Sequence, residues 1–265
     1  EFRAFAQPLA DMCALTYTAT QGSYYDPDSW NATVPAWQRG ELAEDPPEGG
    51  MRALTFLQPE SRRGVVAFRG TDMDLSSPGG EADRCADARM FGEELLPVCG
   101  VFSPALLDYP ASALEFAQRA ADEHPEVEWL YTGHSLGAAL AELVAAARGA
   151  AALTFASPPV LPALRRDTAV APGAVPTWAT VSVYDEWDPI RWKARGLLIG
   201  TACSYPSPAT PSCSACDLAP GRPDEWQGSC YDCMWAKHIF SAYLEHLQSG
   251  SRPACGPWPS ADMHV

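Results

Sequence analysis

The sequence predicts an α/β fold with a mostly parallel central sheet flanked by helices, and three observations carry that expectation. Apolar strand-like runs alternate with helical stretches from about residue 50 onward. The run Val127-Glu128-Trp129-Leu130-Tyr131 leads through Gly133-His134-Ser135-Leu136-Gly137 straight into an Ala/Leu-rich stretch, Leu136 to Ala147. The residues able to do chemistry fall where strands end, the place where open α/β sheets carry their sites.

In chain order, Phe5 to Tyr17 has helical spacing that places Phe5, Leu9, Met12 and Leu15 on one side. Residues 20–50, rich in Pro, Gly, Asp and Trp, read as an irregular surface loop. Two strands follow, Arg52 to Leu57 and Gly64 to Phe68, joined by Pro59-Glu60-Ser61-Arg62 as a hairpin turn. A long excursion occupies residues 72–100, with a helix expected from Glu81 to Leu96. A further helix is expected from about Pro104 to Glu123, with Leu106, Leu107, Leu114, Phe116 and Ala117 as core candidates. Beyond the Ser135 helix, Ala152 to Ala156 and Thr177 to Tyr184 read as buried strands. Residues 195–230 read as loop, and a final helix is expected from about Trp235 to Leu247.

A Ser at a sharp strand-to-helix turn takes a strained backbone, which pushes its Oγ out to where a substrate can reach it. A G-x-S-x-G pentapeptide alone arises by chance in roughly one chain in ten of this length at ordinary glycine usage. The strand before it and the helix after it give the motif its weight. Glycine at 133 and 137 lets the helix pack close to neighbouring strands.

A nucleophilic Ser needs a base, an acid to orient that base, and donors for the developing oxyanion. Among five histidines, His134 is fixed inside the turn with its ring expected to point away from the site, and His124 precedes the strand. His246 lies late in the last helix and His264 in the tail. That leaves His238. For the acid, Asp185, Glu186 and Asp188 all follow the strand ending at Tyr184; Asp188 precedes Pro189, which would fix its turn, and Asp185 is the rival. The order Ser, Asp, His is that of α/β-hydrolases.

Composition narrows the partners. The chain has 33 Asp+Glu against 18 Lys+Arg, a formal charge of −15, and its two lysines are Lys193 and Lys237. Phosphate binding needs clustered basic residues, so no nucleic-acid partner is expected. A firm grip on an anionic membrane is unexpected for the same reason. No stretch reaches the roughly 18 apolar residues of a membrane span. The N-terminus, Glu1-Phe2-Arg3-Ala4, has no apolar h-region, as expected of a mature or trimmed chain. Nine cysteines and the sequon Asn31-Ala32-Thr33 favour a secreted or otherwise oxidising location.

The chain resembles the class 3, fungal-type lipases, which include related feruloyl esterases and plant acylhydrolases. The resemblance lies in Val65-Val66-Ala67-Phe68-Arg69-Gly70-Thr71, Thr132 to Ala141, Phe155-Ala156-Ser157-Pro158, Asp188-Pro189-Ile190, and His238 followed by Tyr243. It implies Ser135 as nucleophile, His238 as general base and Asp188 as its orienter. It also implies oxyanion donors at the Leu136 N–H and at Thr71, through its N–H and its Oγ. Arg69 is expected to brace its loop rather than to touch substrate.

The resemblance further implies a lid over the site, here at residues 72–100. Met90, Phe91, Leu95 and Leu96 would line an acyl groove or belong to the core, and a Cys85–Cys99 disulfide would limit opening. In the Cys-rich insertion at 195–233, Cys213-x-x-Cys216 and Cys230-x-x-Cys233 resemble a structural zinc site. Disulfides that also draw in Cys203 of the same loop are the favoured alternative. Cys13 matches an N-terminal half-cystine of related esterases, with Cys255 as its partner.

The expectation is thus one α/β-hydrolase domain over residues 1–265, a serine carboxylic-ester hydrolase acting on acylglycerols without cofactor or metal. The alternatives are an esterase of small or feruloyl-type esters, a phospholipase or galactolipase, an acyltransferase, and a catalytically silent lipase-like binding module. The expected partner is an ester or lipid substrate, met at a transient lipid-interface contact.

Overall fold

The computed structural model describes residues 1–18, 33–44, 50–74, 78–91, 97–166, 179–193, 199–206 and 229–257. Its sheet comprises β1 (Gln38–Glu44), β2 (Ala53–Gln58), β3 (Arg63–Phe68), β4 (Glu128–His134), β5 (Ala151–Phe155), β6 (Thr180–Asp185), β7 (Thr201–Tyr205) and β8 (Ala254–Pro257). The spatial order follows the chain order from β1 to β8. Strands β3 to β7 run parallel, while β1, β2 and β8 add antiparallel pairs at the two edges. The expected hairpin is present as β2 and β3, turned by Pro59–Ser61 with Arg62 at φ 53°.

Helices cover both faces. They are α1 (Phe2–Thr18), α2 (Pro78–Phe91), α3 (Tyr109–Glu123), α4 (Leu136–Arg148), α5 (Leu161–Arg166), α6 (Pro189–Lys193), α7 (Ser229–His238) and α8 (Phe240–Ser249). Alternation along β3 divides the core. Val66 and Phe68 join Phe116, Leu136 and Leu140 under α3 and α4, whereas Val65 and Ala67 join Leu9, Met12, Tyr243 and Leu247 under α1 and α8. Because both faces are covered, the central strands are buried along most of their length, polar residues such as Thr132, Thr154 and Ser182 included.

Several expectations change. Phe5 is 55% exposed, so the buried stripe of α1 is Leu9, Met12 and Leu15 without it. The 20–50 region contains strand β1, whose polar sequence Gln38-Arg39-Gly40-Glu41-Leu42-Ala43-Glu44 shows no apolar alternation because it lies at a sheet edge. Strand β7 crosses the stretch read as loop, so Cys203 lies in the sheet. α3 begins at Tyr109 rather than near Pro104 because the Asp108 carboxylate caps it, accepting from the Ala111 N–H. α2 covers Pro78–Phe91, short of the expected end at Leu96, and residues 92–96 lie outside the described residues. The expected last helix is two. α7 stops at His238, Ile239 turns extended at φ −60° and ψ 141°, and α8 starts at Phe240.

The cysteines pair differently from the resemblance. Cys85–Cys99 forms as expected, but Cys255 bonds to Cys203, directly opposite it in the β7–β8 register. Cys13 is a buried free thiol against the Thr132 hydroxyl, and burial pushes its pKa up to about 12. Cys233 is disulfide-bonded, which removes it from the zinc tetrad. Cys213 and Cys216 lie outside the described residues, as do the side chain of Cys230 and the sequon at Asn31. Among the described residues no group of three or more His, Cys, Asp or Glu is placed to hold a metal ion, and no helix is long and apolar enough to cross a membrane.

Candidate active site

Ser135 sits between β4 and α4 with φ 55° and ψ −124°, a left-handed-side conformation that L residues rarely adopt. The packing around it leaves little choice. A Cβ at Gly137 would come within 2.2 Å of the Phe68 carbonyl oxygen, and one at Gly133 within 2.2 Å of the Gly137 carbonyl oxygen. The helix is therefore pressed against the end of β3, as expected from the two glycines. The Ser135 N–H donates to the Phe155 carbonyl at 3.0 Å, and its carbonyl accepts from the Ala138 and Ala139 N–H groups of α4. Ala156, at φ 53°, is a second positive-φ residue at this sheet edge.

The other two candidates arrive from distant chain segments. Asp188 lies three residues past the end of β6, fully buried, and His238 ends α7 with 8% of its surface exposed. His238 Nδ1 lies 3.0 and 3.1 Å from the Asp188 carboxylate oxygens, and Nε2 lies 3.0 Å from Ser135 Oγ. A carboxylate only accepts, so Nδ1–H donates to Asp188 and the Nε2 lone pair faces the Ser135 hydroxyl. Asp188 also accepts from the Ile190 N–H at 2.7 Å and from the Tyr243 hydroxyl. Those partners aim the carboxylate at the imidazole.

Leu136 opens α4, so its N–H has no intrahelical acceptor and is free of the helix ladder. Thr71 lies just beyond β3, which aligns with β4 through Phe68 and Gly133. The Thr71 hydroxyl donates to Asp87 of α2 at 2.7 Å, so its side chain is committed elsewhere in this arrangement. Arg69 braces the loop as expected: its guanidinium is buried against Asp83 of α2 and also reaches Asp72 at 3.5 Å. Asp83 further accepts from the Asp72 N–H and the Tyr109 hydroxyl, each at 2.7 Å. These bonds and the Cys85–Cys99 disulfide fasten α2 to the core. Met90 of α2 is core. It also lines a cavity of about 580 Å³ with Leu107, Leu114, Leu143 and Ala163, on a flank of α4 that does not include Ser135. Leu95 and Leu96 lie outside the described residues.

One histidine departs from expectation, and another forms a pair that the sequence did not indicate. The His134 ring does not point away; it packs against His238, with centroids 4.9 Å apart, and its Nε2 lies 2.8 Å from the His238 carbonyl oxygen. His246 pairs with the rival acid, Nε2 to Asp185 Oδ2 at 2.7 Å. Sequence reasoning also missed the acceptor role of Asp87 and the donor role of Tyr243. Only the chain fold brings those residues together.

Residues 65–161 match the family model described as Lipase (class 3). The candidate lipase ATG15 of Cryptococcus neoformans is 26% identical over 213 residues, covering 69% of this chain and 39% of its own length. The protein of the same name from Eremothecium gossypii is 28% identical over 172 residues, covering 55% of this chain and 31% of its own. The chain thus spans well under half the length of the curated relatives it matches. A crystallised lipase of Rhizopus microsporus var. chinensis shares the fold, with TM-score 0.51, 14% identity, and coverage of 78% of this chain and 76% of that one. With its strand–elbow–helix unit and mostly parallel sheet, the chain has the α/β-hydrolase fold, and over residues 65–161 it is similar to the class 3 lipases.

Proposed function

We propose that this chain is a serine carboxylic-ester hydrolase acting on acylglycerols through an acyl-enzyme intermediate. The observation that carries the reading is Ser135 Oγ at 3.0 Å from His238 Nε2, with the opposite ring nitrogen on buried Asp188. In this reading Ser135 attacks the ester carbonyl as His238 takes its proton. The Leu136 and Thr71 N–H groups receive the oxyanion, and His238 then protonates the leaving alcohol. Water, activated by His238, releases the acid and regenerates Ser135. No step needs a cofactor. One oxyanion donor commonly contributes a factor of 10²–10³ in rate.

Residues 1–265 would form one domain, with 72–100 in the lid position and 195–233 as an insertion near His238. The fastening of α2 through Asp83, Asp87 and Cys85 favours a fixed wall there over a helix that swings. The disulfides fit an oxidising compartment. Secretion is the finer reading, supported by the sequon at Asn31.

The test is hydrolysis of p-nitrophenyl esters from about two to sixteen carbons by wild type and Ser135→Ala, a range chosen to span acyl chains from soluble to lipid-like. Turnover that needs Ser135 and rises with chain length is the expected result. Ser135-dependent turnover confined to short chains would instead support an esterase of small substrates. No Ser135-dependent turnover at any length would sink the hydrolase reading and favour a silent binding module.

A further inference from the structure

We infer that His134 is a positioning residue: its imidazole, held by the Tyr17 hydroxyl, fixes the main chain of His238 at the break between α7 and α8. The inference rests on the reading of Ser135, Asp188 and His238 as a catalytic triad.

The proton positions follow from chemistry. The His238 carbonyl can only accept, so the hydrogen of the 2.8 Å contact sits on His134 Nε2. Nδ1 is then bare, and it accepts the Tyr17 hydroxyl at 2.7 Å. Tyr17 is itself cornered. Its phenol oxygen takes a hydrogen bond from the Gly70 N–H, and burial pushes its pKa up, so it stays a donor. A Cβ on Gly70 would lie 2.0 Å from the Tyr17 hydroxyl and 2.5 Å from the His134 carbonyl oxygen. Four segments therefore meet at one imidazole: the end of α1, the loop leading to Thr71, the residue before Ser135, and the end of α7.

The place where this imidazole acts is the weak point of the constellation. His238 is the last residue of α7, where helix carbonyls lose their intrahelical donors, and Ile239 turns extended immediately after it. The Ile239 N–H of the peptide unit that follows His238 is tied to the Trp235 carbonyl at 3.2 Å, but the His238 carbonyl of the same unit needs a donor from elsewhere. The His134 N–H supplies that donor. Its ring also backs the His238 ring at 4.9 Å and contacts Phe240 and Tyr243 at 5.0 and 5.7 Å.

Neutrality of His134 matters as well. When His238 accepts the Ser135 proton it becomes a cation, and a second positive ring at this distance would oppose it. Burial, followed by the proximity of His238, pushes the His134 pKa well below the ordinary histidine value. The ring stays uncharged, with its one proton committed to the His238 carbonyl.

The experiment compares wild type with His134→Leu, His134→Gln and Tyr17→Phe, using Ser135→Ala and Asp188→Asn as controls. Two quantities are read. One is kcat and KM on the p-nitrophenyl ester that wild type cleaves fastest. The other is the low-field proton resonance of the His238 Nδ1–H, identified by its loss in Asp188→Asn. The expected result for His134→Leu is a fall in kcat of about 10²-fold with KM nearly unchanged, as a displacement near 1 Å produces. Its low-field resonance should broaden by exchange with water. The amide of His134→Gln can still donate to the His238 carbonyl, so this variant should regain about tenfold of the loss and keep the resonance. Tyr17→Phe should fall between.

Leu and Gln variants equally impaired with the resonance intact would overturn the inference, as would kcat and resonance unchanged in both Tyr17→Phe and His134→Gln should His134→Leu fail to fold. Absence of Ser135-dependent turnover in wild type would sink the hydrolase reading alone. The resonance would still decide whether His134 positions His238.

Discussion

The end of β6 supplies two carboxylate–imidazole pairs, Asp188 with His238 and Asp185 with His246, and of the two only the first meets the Ser135 hydroxyl. Both carboxylates are fully buried, both receive a main-chain N–H, and both imidazoles come from the C-terminal helices. The difference lies in what faces the second ring nitrogen and the ring plane. His238 presents Nε2 to Ser135 Oγ, whereas His246 spends Nε2 on Asp185 and stacks flat on Tyr205, 4.7 Å between centroids and 2° between planes. An Asp–His pair is thus inexpensive to build and does not define a reactive site. The scarce ingredient is a hydroxyl held at a strained turn in front of the imidazole.

Swapping the acids is the sharpest way to break this contrast. Asp188→Asn should lower kcat on the order of 10⁴-fold, because the amide no longer fixes the imidazole tautomer. Asp185→Asn should leave kcat within about threefold and cost about 1–3 kcal/mol of stability through its buried partners, read as a lowered urea midpoint. A large kcat loss in Asp185→Asn would mean that the two pairs work as one network, joined by the Tyr243 hydroxyl that Asp188 accepts from and the Asp185 N–H donates to.

Covalent bracing separates the pairs next. Cys203–Cys255 spans 52 residues and holds the strand that carries Tyr205. Removing it in Cys203→Ser/Cys255→Ser should cost about 4 kcal/mol on the chain-entropy estimate. The loss should appear in the melting temperature, with kcat at low temperature retained. Equal losses of both would tie the second pair to the chemistry.

A pH series distinguishes the two faces of the elbow. Glu142 of α4 is buried and accepts from the Thr154 and Ser182 hydroxyls; burial pushes its pKa up to about 7 from the ordinary 4.5. The folded chain keeps a proton that the unfolded chain has lost between those values, so this contribution is complete below pH 4.5 and declines as pH rises through 7. His134 has the opposite sign. Its pKa is lowered, so its contribution is present above pH 6.5 and lost as pH falls below it. Glu142→Gln should abolish the first decline, a difference on the order of 3 kcal/mol between pH 4 and pH 8 by urea denaturation. An unchanged pH slope in that variant would show that Glu142 does not titrate in this range.

The elements legible in the sequence are those governed by local rules. The strand–elbow–helix unit, the β2–β3 hairpin and the parallel core strands each follow from periodicity and turn residues within about a dozen positions. Asp188 and His238 were legible because Pro189 marks one turn and the remaining histidines are few. What escaped depends on distant partners. β1 and β7 lack a sustained apolar pattern because they lie near the sheet margins, and their identity as strands comes from their neighbours. Cys255 faces Cys203 through strand register, which no spacing along the chain reveals. The orientation of His134 depends on Tyr17 and on His238, 117 and 104 residues away.

The identity of spatial and chain order in the sheet has a consequence for synthesis. Each strand can dock on the margin left by the one before it, so the sheet can grow in step with a chain emerging from the ribosome. Ser135 and its elbow are complete once β5 is in place, but the imidazole arrives only with α7, beyond two further strands. Until then the nascent chain carries a hydroxyl at a strained turn with no imidazole from α7 beside it. The contact between Ser135 and His238 forms as a late event of assembly, when the chain is already largely folded.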